Sequence, residues 1–111
     1  MELELSTSRR GDSCVVRVSG EVDVHTSPSL KAALVDAMGQ GCPVVVADLA
    51  SVPFIDSSGL GVLIGALRRA REAGGELRVV SGDDAVIKIL RITGLDQVLP
   101  LYASVDEAAG A

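Results

Sequence analysis

Residues 53–65 read Pro-Phe-Ile-Asp-Ser-Ser-Gly-Leu-Gly-Val-Leu-Ile-Gly, and the rest of the fold can be worked out from this stretch. The apolar run at residues 44–49 precedes it and predicts a buried strand. Asp56, Ser57 and Ser58 follow, and short polar side chains of this kind cap the first turn of a helix. Apolar residues then return at helical spacing until Gly74-Gly75. The stretch therefore predicts a strand, a loop and a helix, with two serines where the helix begins.

The polar triplet has two interpretations. An ordinary helix cap accounts well for one of the three residues. It leaves Gly59 and Gly61 unexplained, because a glycine early in a helix costs about 1 kcal/mol relative to alanine. Close approach of a partner's backbone would explain such glycines, and for Gly61 and Gly65 so would close packing inside the domain. On these residues alone, a cap and a functional site both stay open.

Composition limits what the chain can be and do. Its 111 residues suit one domain, residues 1–111, and 48% are apolar, with one Phe, one Tyr and no Trp. The net charge is −5 and no basic cluster is longer than Arg68-Arg69, so direct nucleic-acid binding is not expected. No apolar run approaches the roughly 20 residues of a membrane span, and no signal peptide pattern opens the chain. We therefore expect a cytoplasmic protein with no membrane partner.

The cysteines and the histidine give no metal site. Cys14 and Cys42 lie far apart without metal-ligand spacing, and His25 is the only histidine. Cys14 falls on the apolar side of an alternating strand and is expected in the core. Cys42, in a Gly-Cys-Pro turn, is expected to be a free thiol. A reducing compartment would suit both.

The remaining elements follow from periodicity and from turn residues. Alternation at residues 2–6 and 14–19 predicts two strands of an antiparallel hairpin. Ser27-Pro28 reads as the cap and first residue of a helix that ends at Gly39. Further on, the pattern predicts a strand at 76–80, a helix capped by Asp83 or Asp84, a short edge strand within 98–102, and a final helix opened by the capping box at 104–107. This order predicts an α/β fold: a mixed sheet, antiparallel then parallel, with helices covering one face.

The motifs of several enzyme classes are absent. The sequence has no phosphate-binding Gly-x-x-x-x-Gly-Lys-Ser/Thr loop and no Gly-x-Gly-x-x-Gly after a strand. Ser57 is not in a nucleophile elbow, and a catalytic triad would need to recruit His25 from elsewhere. Glu21 and Asp23, between a strand and a helix, are either solvated loop carboxylates or an acid pair without a partner motif. We expect no enzyme and no cofactor.

Two segments resemble a known family. Gly20-Glu21-Val22-Asp23, Thr26 and residues 54–63 resemble the STAS domain and, more narrowly, the bacterial anti-sigma-factor antagonists. The similarity extends over nearly the whole chain, including Gly74-Gly75-Glu76 and residues 92–95. The order Asp-Ser-Ser-Gly-Leu-Gly in this setting is a specific signal.

The resemblance implies a binding switch. In such proteins the serine after the motif's Asp, here Ser57, is phosphorylated by an anti-sigma factor that is also a serine protein kinase. The unphosphorylated form binds that anti-sigma factor and frees a sigma factor, and a serine phosphatase restores this form. With the exposed side of the predicted helix, this gives the candidate partner contacts Glu21, Asp23, Thr26, Asp56, Ser58, Gly59, Gly61 and Val62. The alternative is a STAS-type regulatory domain that binds a small molecule or a nucleotide.

Two physical expectations concern this site. The loop acids are expected to act at the partner surface and not in the core, so replacing Asp23 should leave thermal stability nearly unchanged. A phosphate on Ser57 would meet the free N–H groups of the helix start, which favour it, and the carboxylate of Asp56, which repels it.

Overall fold

The computed structural model describes residues 2–110, which form five strands and four α-helices. The two end residues of the predicted 1–111 domain lie outside the described residues. The elements in chain order are β1 (Glu4–Arg10), β2 (Ser13–Ser19), α1 (Ser27–Met38), β3 (Val44–Ser51), α2 (Ser57–Glu72), β4 (Glu76–Val80), α3 (Asp84–Ile92), a 3₁₀ turn (Leu95–Gln97), β5 (Leu101–Tyr102) and α4 (Val105–Gly110). The predicted order of strands and helices is confirmed.

The strands form one sheet in the order β1-β2-β3-β4-β5. β1 pairs antiparallel with β2, from Glu4 opposite Ser19 to Arg10 opposite Ser13. The other three pairs are parallel, and each crossover runs through a helix. The predicted mixed sheet is therefore confirmed. Because β2 and β3 are parallel, their carboxyl ends meet at one edge of the sheet, where the loops into α1 and α2 begin.

Three helices cover one face of the sheet and the fourth covers part of the other. Cys14, Val16 and Val18 of β2 point into the main core with buried residues of α1, α2 and α3, which confirms the predicted core position of Cys14. On the opposite face, Ala108 of α4 packs with Val15 and neighbouring valines. The prediction that helices cover one face of the sheet is therefore confirmed for the three longer helices, whereas α4 lies on the opposite face.

Some boundaries differ from the predicted ones. β1 continues to Arg10, because the turn needs only Gly11 and Asp12, and Gly11 has a φ of +61°. Helix α1 has Thr26 at its N-cap position, so Ser27 is already helical. β5 spans two residues. Among residues 2–110, no helix has both the length and the apolar character that crossing a membrane requires.

A disulfide joins Cys14 to Cys42, with the two Cα atoms 5.9 Å apart. The prediction of a free thiol at Cys42 is therefore wrong. Cys14, the second residue of β2, pairs with Val45 of β3, and Cys42 lies three residues before Val45, so strand pairing brings the sulfurs together. The cysteines consequently no longer support a reducing compartment. The bond lies at the amino ends of β2 and β3, at the far end of these strands from the loop edge described above.

Candidate functional site

The loops after β2 and β3 are joined into one platform. Val22 and Ile55 form an isolated parallel bridge beyond the ends of the strands. The Val22 N–H donates to the Phe54 carbonyl oxygen at 3.0 Å, and the Asp56 N–H donates to the Val22 carbonyl oxygen at 3.1 Å. Both bridge side chains are buried. Backbone hydrogen bonds and a small apolar contact therefore fix the two loops relative to each other.

Gly59 packs directly against this bridge. A Cβ atom at this position would lie 2.5 Å from Cγ1 of Ile55 and 2.6 Å from Cγ1 of Val22. Such distances are too short for any side chain, so the first turn of α2 can sit on the bridge only with glycine here. Gly59 is buried. It was predicted as a partner contact, but the structure gives it an internal packing role, and we remove it from the candidate surface.

Ser57 is exposed at the first position of α2. Asp56 precedes it in an extended conformation, and its Oδ1 accepts from the N–H groups of Ser58 at 2.9 Å and Gly59 at 3.2 Å. Asp56 is therefore the N-cap, which shows which of the three polar residues caps α2. Its capping also corrects the expectation of free N–H groups for a phosphate, because two of these donors are already bound to a carboxylate.

Asp23 organises the loop that precedes α1. Its Oδ1 accepts from the backbone N–H groups of His25 and Thr26, both at 2.9 Å. The Thr26 hydroxyl donates to the Glu21 carbonyl oxygen at 2.8 Å and accepts from the Asp23 N–H at 2.9 Å. The N–H of Thr26, helped by that of His25, holds the pKa of the Asp23 carboxyl below its usual value, against the opposing effect of desolvation.

These bonds change the predicted roles of two loop residues. Thr26 is buried and holds the loop internally, so it does not offer its side chain to a partner. Asp23 is half-buried, and its carboxylate stabilises the loop through hydrogen bonds in addition to facing the surface. This differs from the expectation of a purely surface role. Glu21 is exposed, as expected for a partner contact.

An open groove runs between α1 and α2 from the serine end of the platform. Its volume is about 340 Å³. Gly61 and Gly65 are exposed, and a Cβ atom on either would meet nothing within 4 Å. Internal packing therefore does not require these two glycines, and the alternative of close packing inside the domain fails for both. The groove is lined by Lys31, Val35, Ser58, Gly61, Val62, Gly65, Ala66 and Arg69.

Comparison with known proteins shows which family has this arrangement. The family model described as the STAS domain matches residues 4–108. This chain belongs to the STAS domain family. It is 33% identical over 103 residues to the anti-sigma F factor antagonist of Paenibacillus polymyxa, covering 92% of this chain and 88% of that protein. It is 29% identical over 103 residues to the anti-sigma-B factor antagonist of Bacillus subtilis, covering 93% and 94%.

Two solved structures superpose closely on this one. An anti-sigma factor antagonist from Mycobacterium paratuberculosis has a TM-score of 0.89 and 31% sequence identity, covering 97% of this chain and 92% of that one. The Bacillus cell fate determinant SpoIIAA in its phosphorylated form has a TM-score of 0.70 and 25% identity, covering 97% and 96%.

Sequence reasoning missed several residues around the STAS platform. Lys31 and Val35 supply the α1 side of the groove, and only the packing of α1 beside α2 shows this. Phe54 and Val24 are exposed in the two joined loops, although apolar side chains are usually assigned to the core. Among residues 2–110 no group of three or more His, Cys, Asp and Glu side chains could hold a metal ion.

Proposed function

We propose that this STAS protein is an anti-sigma-factor antagonist whose unmodified form binds an anti-sigma factor and thereby frees a sigma factor. The observation that carries the proposal is the exposed Ser57 at the start of α2, between the acidic loops and the open groove. The relatives named as antagonists, at about 30% identity over most of the chain, support the same role. Binding needs no bond-making chemistry from this chain, so the proposed role is that of a regulatory binding protein.

Ser57 is the proposed phosphoacceptor. Its side chain is exposed, whereas Ser58 is half-buried in the wall of the groove. An anti-sigma factor with serine kinase activity would transfer the γ-phosphoryl group of ATP to the Ser57 oxygen and release ADP. A serine phosphatase would hydrolyse the phosphoserine and restore the binding form. Neither enzyme requires the platform to unfold, because the acceptor oxygen is already at the surface.

The phosphate would act at the interface. It adds about −1.5 to −2 charges at pH 7 beside Asp56, whose carboxylate already binds two of the nearby N–H groups. The start of α2 therefore has fewer unbound N–H groups for the phosphate than an uncapped helix N-terminus would have. A bound partner would also have to desolvate the dianion, and burial of an unmatched charge is costly. Phosphorylation is expected to weaken partner binding and to leave the fold in place.

A matched pair of serine variants tests the acceptor. Purified wild type, Ser57→Ala and Ser58→Ala would each be incubated with ATP and the kinase from the same organism. We expect one phosphate on wild type and on Ser58→Ala, located at Ser57 by peptide mass spectrometry, and none on Ser57→Ala. Phosphate on Ser58 in the wild-type protein would overturn the assignment.

The partner class is tested separately by affinity capture from the organism's own cells. Wild type and Ser57→Asp would be used as baits, and the captured protein would be identified and purified. We expect wild type alone to retain an anti-sigma factor with an ATP-binding kinase domain. Equal retention by both baits would contradict the proposed switch.

The groove favours a second candidate function, a STAS-type regulatory domain for a small ligand. Its volume of about 340 Å³ lies in the range of small-molecule sites, and Lys31 and Arg69 would favour an anion such as a nucleotide. Titration calorimetry of the isolated chain with ATP tests this. Saturable binding that is lost in Lys31→Ala would support the candidate, and the absence of heat at millimolar ATP would reject nucleotide binding.

A further inference from the structure

Two of the most exposed apolar side chains lie in the joined loops of the platform. Among residues 2–110, the large apolar residues with high exposure are Val24 at 62%, Phe54 at 43%, Ile92 at 74% and Val98 at 43%. Val24 lies two residues after the bridge residue Val22, and Phe54 directly precedes the bridge residue Ile55. Single exposed apolar residues are normal on any protein surface. Two in adjacent loops that also hold the candidate phosphoacceptor call for a physical account.

Phe54 is the better placed of the two. It belongs to neither buried apolar cluster, and it is one of only two aromatic residues in the chain. Its carbonyl oxygen accepts from the Val22 N–H, and the next residue, Ile55, is 1% exposed. The backbone on which Phe54 stands is therefore fixed by the bridge. An aromatic side chain held this way loses little backbone entropy when it enters a partner's pocket.

The charges around Phe54 indicate what surface it fits. Asp56 lies two residues further along the same loop, and Glu21 and Asp23 lie in the joined loop. None of these three carboxylates forms an ion pair with another residue of the described range 2–110. A partner that covers Phe54 must also face these carboxylates. Basic side chains around an apolar pocket would match both features.

We propose that Phe54 is the apolar anchor of the anti-sigma-factor interface, that it enters an apolar pocket rimmed by basic side chains, and that Val24 is a second, smaller contact. This inference rests on the proposed function and assigns a binding residue outside the motif Asp56-Ser57-Ser58. Binding hot spots are enriched in aromatic side chains and are surrounded by contacts that exclude water.

The anchor also sets how strongly phosphorylation acts. Phe54 stands on the bridged loop that leads directly into α2, three residues before Ser57, so we expect a partner that seats its ring to cover the start of α2 as well and to remove water from the serine. A negative group on Ser57 would then be desolvated on binding, which opposes association. Without the ring, water could remain at the serine and the charge would cost less. Phe54 should therefore control both the affinity and the ratio of affinities between the unmodified and the negatively charged form.

The experiment measures dissociation constants for the purified anti-sigma factor captured above. The variants are wild type, Phe54→Ala, Ser57→Asp and the double variant, with Ile92→Ala as a control because Ile92 is more exposed and lies at the end of α3. We expect Phe54→Ala to weaken binding roughly 10- to 100-fold and Ile92→Ala to change it less than about twofold. The effect of Ser57→Asp should be at least several-fold smaller in the Phe54→Ala background than in wild type.

Thermal unfolding of the same variants excludes a folding defect. Phe54→Ala should melt within a few degrees of wild type, because the ring is outside both buried clusters. Phe54→Leu, which keeps an apolar side chain, should recover most of the affinity. Unchanged affinity in Phe54→Ala, or an equal loss in Ile92→Ala, would overturn the anchor.

The outcomes separate the anchor from the proposed function. If wild type binds the anti-sigma factor and Ser57→Asp does not, the switch stands whatever Phe54→Ala does. If wild type and Ser57→Asp bind equally, the switch fails, and the affinity of Phe54→Ala still tests the anchor. If Phe54→Ala weakens binding but leaves the Ser57→Asp ratio unchanged, the coupling between anchor and phosphate is refuted.

Discussion

At the scale of single residues, the carboxylates of Asp23 and Asp56 each bind backbone donors before any partner arrives. Asp56 caps α2, whereas the sequence indicated a cap among Asp56, Ser57 and Ser58 without showing which of them it is. Asp23 has a similar role in its own loop, where its Oδ1 accepts two backbone N–H groups. No helix begins directly after Asp23, so the sequence pattern gave no capping signal there, and only the conformation of the loop shows the role.

The acid-dependence of stability tests the structural role of Asp23. Its folded-state pKa is lowered from 3.8, so its carboxylate stabilises the fold above about pH 3.8, and this contribution is lost as the pH falls through the folded-state pKa. Asp23→Asn should therefore melt below wild type at pH 6, and the difference should shrink below pH 3.8. Glu21→Gln is the control and should follow wild type throughout. If Asp23→Asn and wild type have the same melting temperature at pH 6, or if their difference in melting temperature does not change with pH, this role is contradicted.

At the scale of elements, α2 carries glycines of two kinds, which the sequence alone could not separate. Gly59 is fixed by its contact with the Val22–Ile55 bridge, whereas Gly61 and Gly65 face open space. Spacing along a helix shows which residues share a side, but not what lies opposite them. The bridge forms between two loops 33 residues apart, so no local pattern could indicate it.

Alanine at the two kinds of position should act in opposite directions. Gly59→Ala would force a methyl group into Ile55 and Val22 and should destabilise the domain by roughly 1–3 kcal/mol. Gly61→Ala should stabilise it by about 0.4–1 kcal/mol, because alanine favours the helix and has room. Under the proposed function, Gly61→Ala should nevertheless weaken partner binding, since the methyl group enters the groove. Denaturant unfolding and titration of the partner would check both, and a stabilised Gly59→Ala would refute the packing argument.

The disulfide is a second element-scale feature that sequence reasoning missed. Cys14 and Cys42 are separated by 28 residues, and their pairing depends on the register between β2 and β3. Periodicity predicts strands, but it does not fix that register. The bond closes a loop that contains β2, the loop organised by Asp23, and α1.

Removing the disulfide should lower stability without altering the site directly. In the chain-entropy model a closed loop of this length contributes roughly 3–4 kcal/mol. Cys42→Ser should therefore lower the melting temperature by roughly 10 °C or more. Partner affinity measured well below the melting temperature should change little, because the bond lies at the opposite ends of β2 and β3 from Ser57. A melting temperature equal to that of wild type under non-reducing conditions would contradict a stabilising crosslink.

At the scale of the whole molecule, the sheet brings together two loops that are distant in sequence. The predicted order of elements was sufficient for the mixed sheet, because each helical crossover implies a parallel pair. The order of elements did not predict that α4 packs on the second face of the sheet. β3 is buried on both faces, and an apolar run of that kind does not specify which helix covers which side. The residues of the motif were predicted, whereas their support by the bridge and the groove wall from α1 needed the fold.

The most direct test of the central claim is the affinity of the purified anti-sigma factor for this chain before and after phosphorylation of Ser57, with the melting temperature of both forms. A charge buried at an interface without a matching cation costs roughly 2–4 kcal/mol, which corresponds to a loss of affinity of about 30- to 1,000-fold. We predict a loss in that range and melting temperatures within a few degrees of each other. Equal affinities, or a melting transition that collapses on phosphorylation, would contradict a switch that acts at the interface of an intact domain.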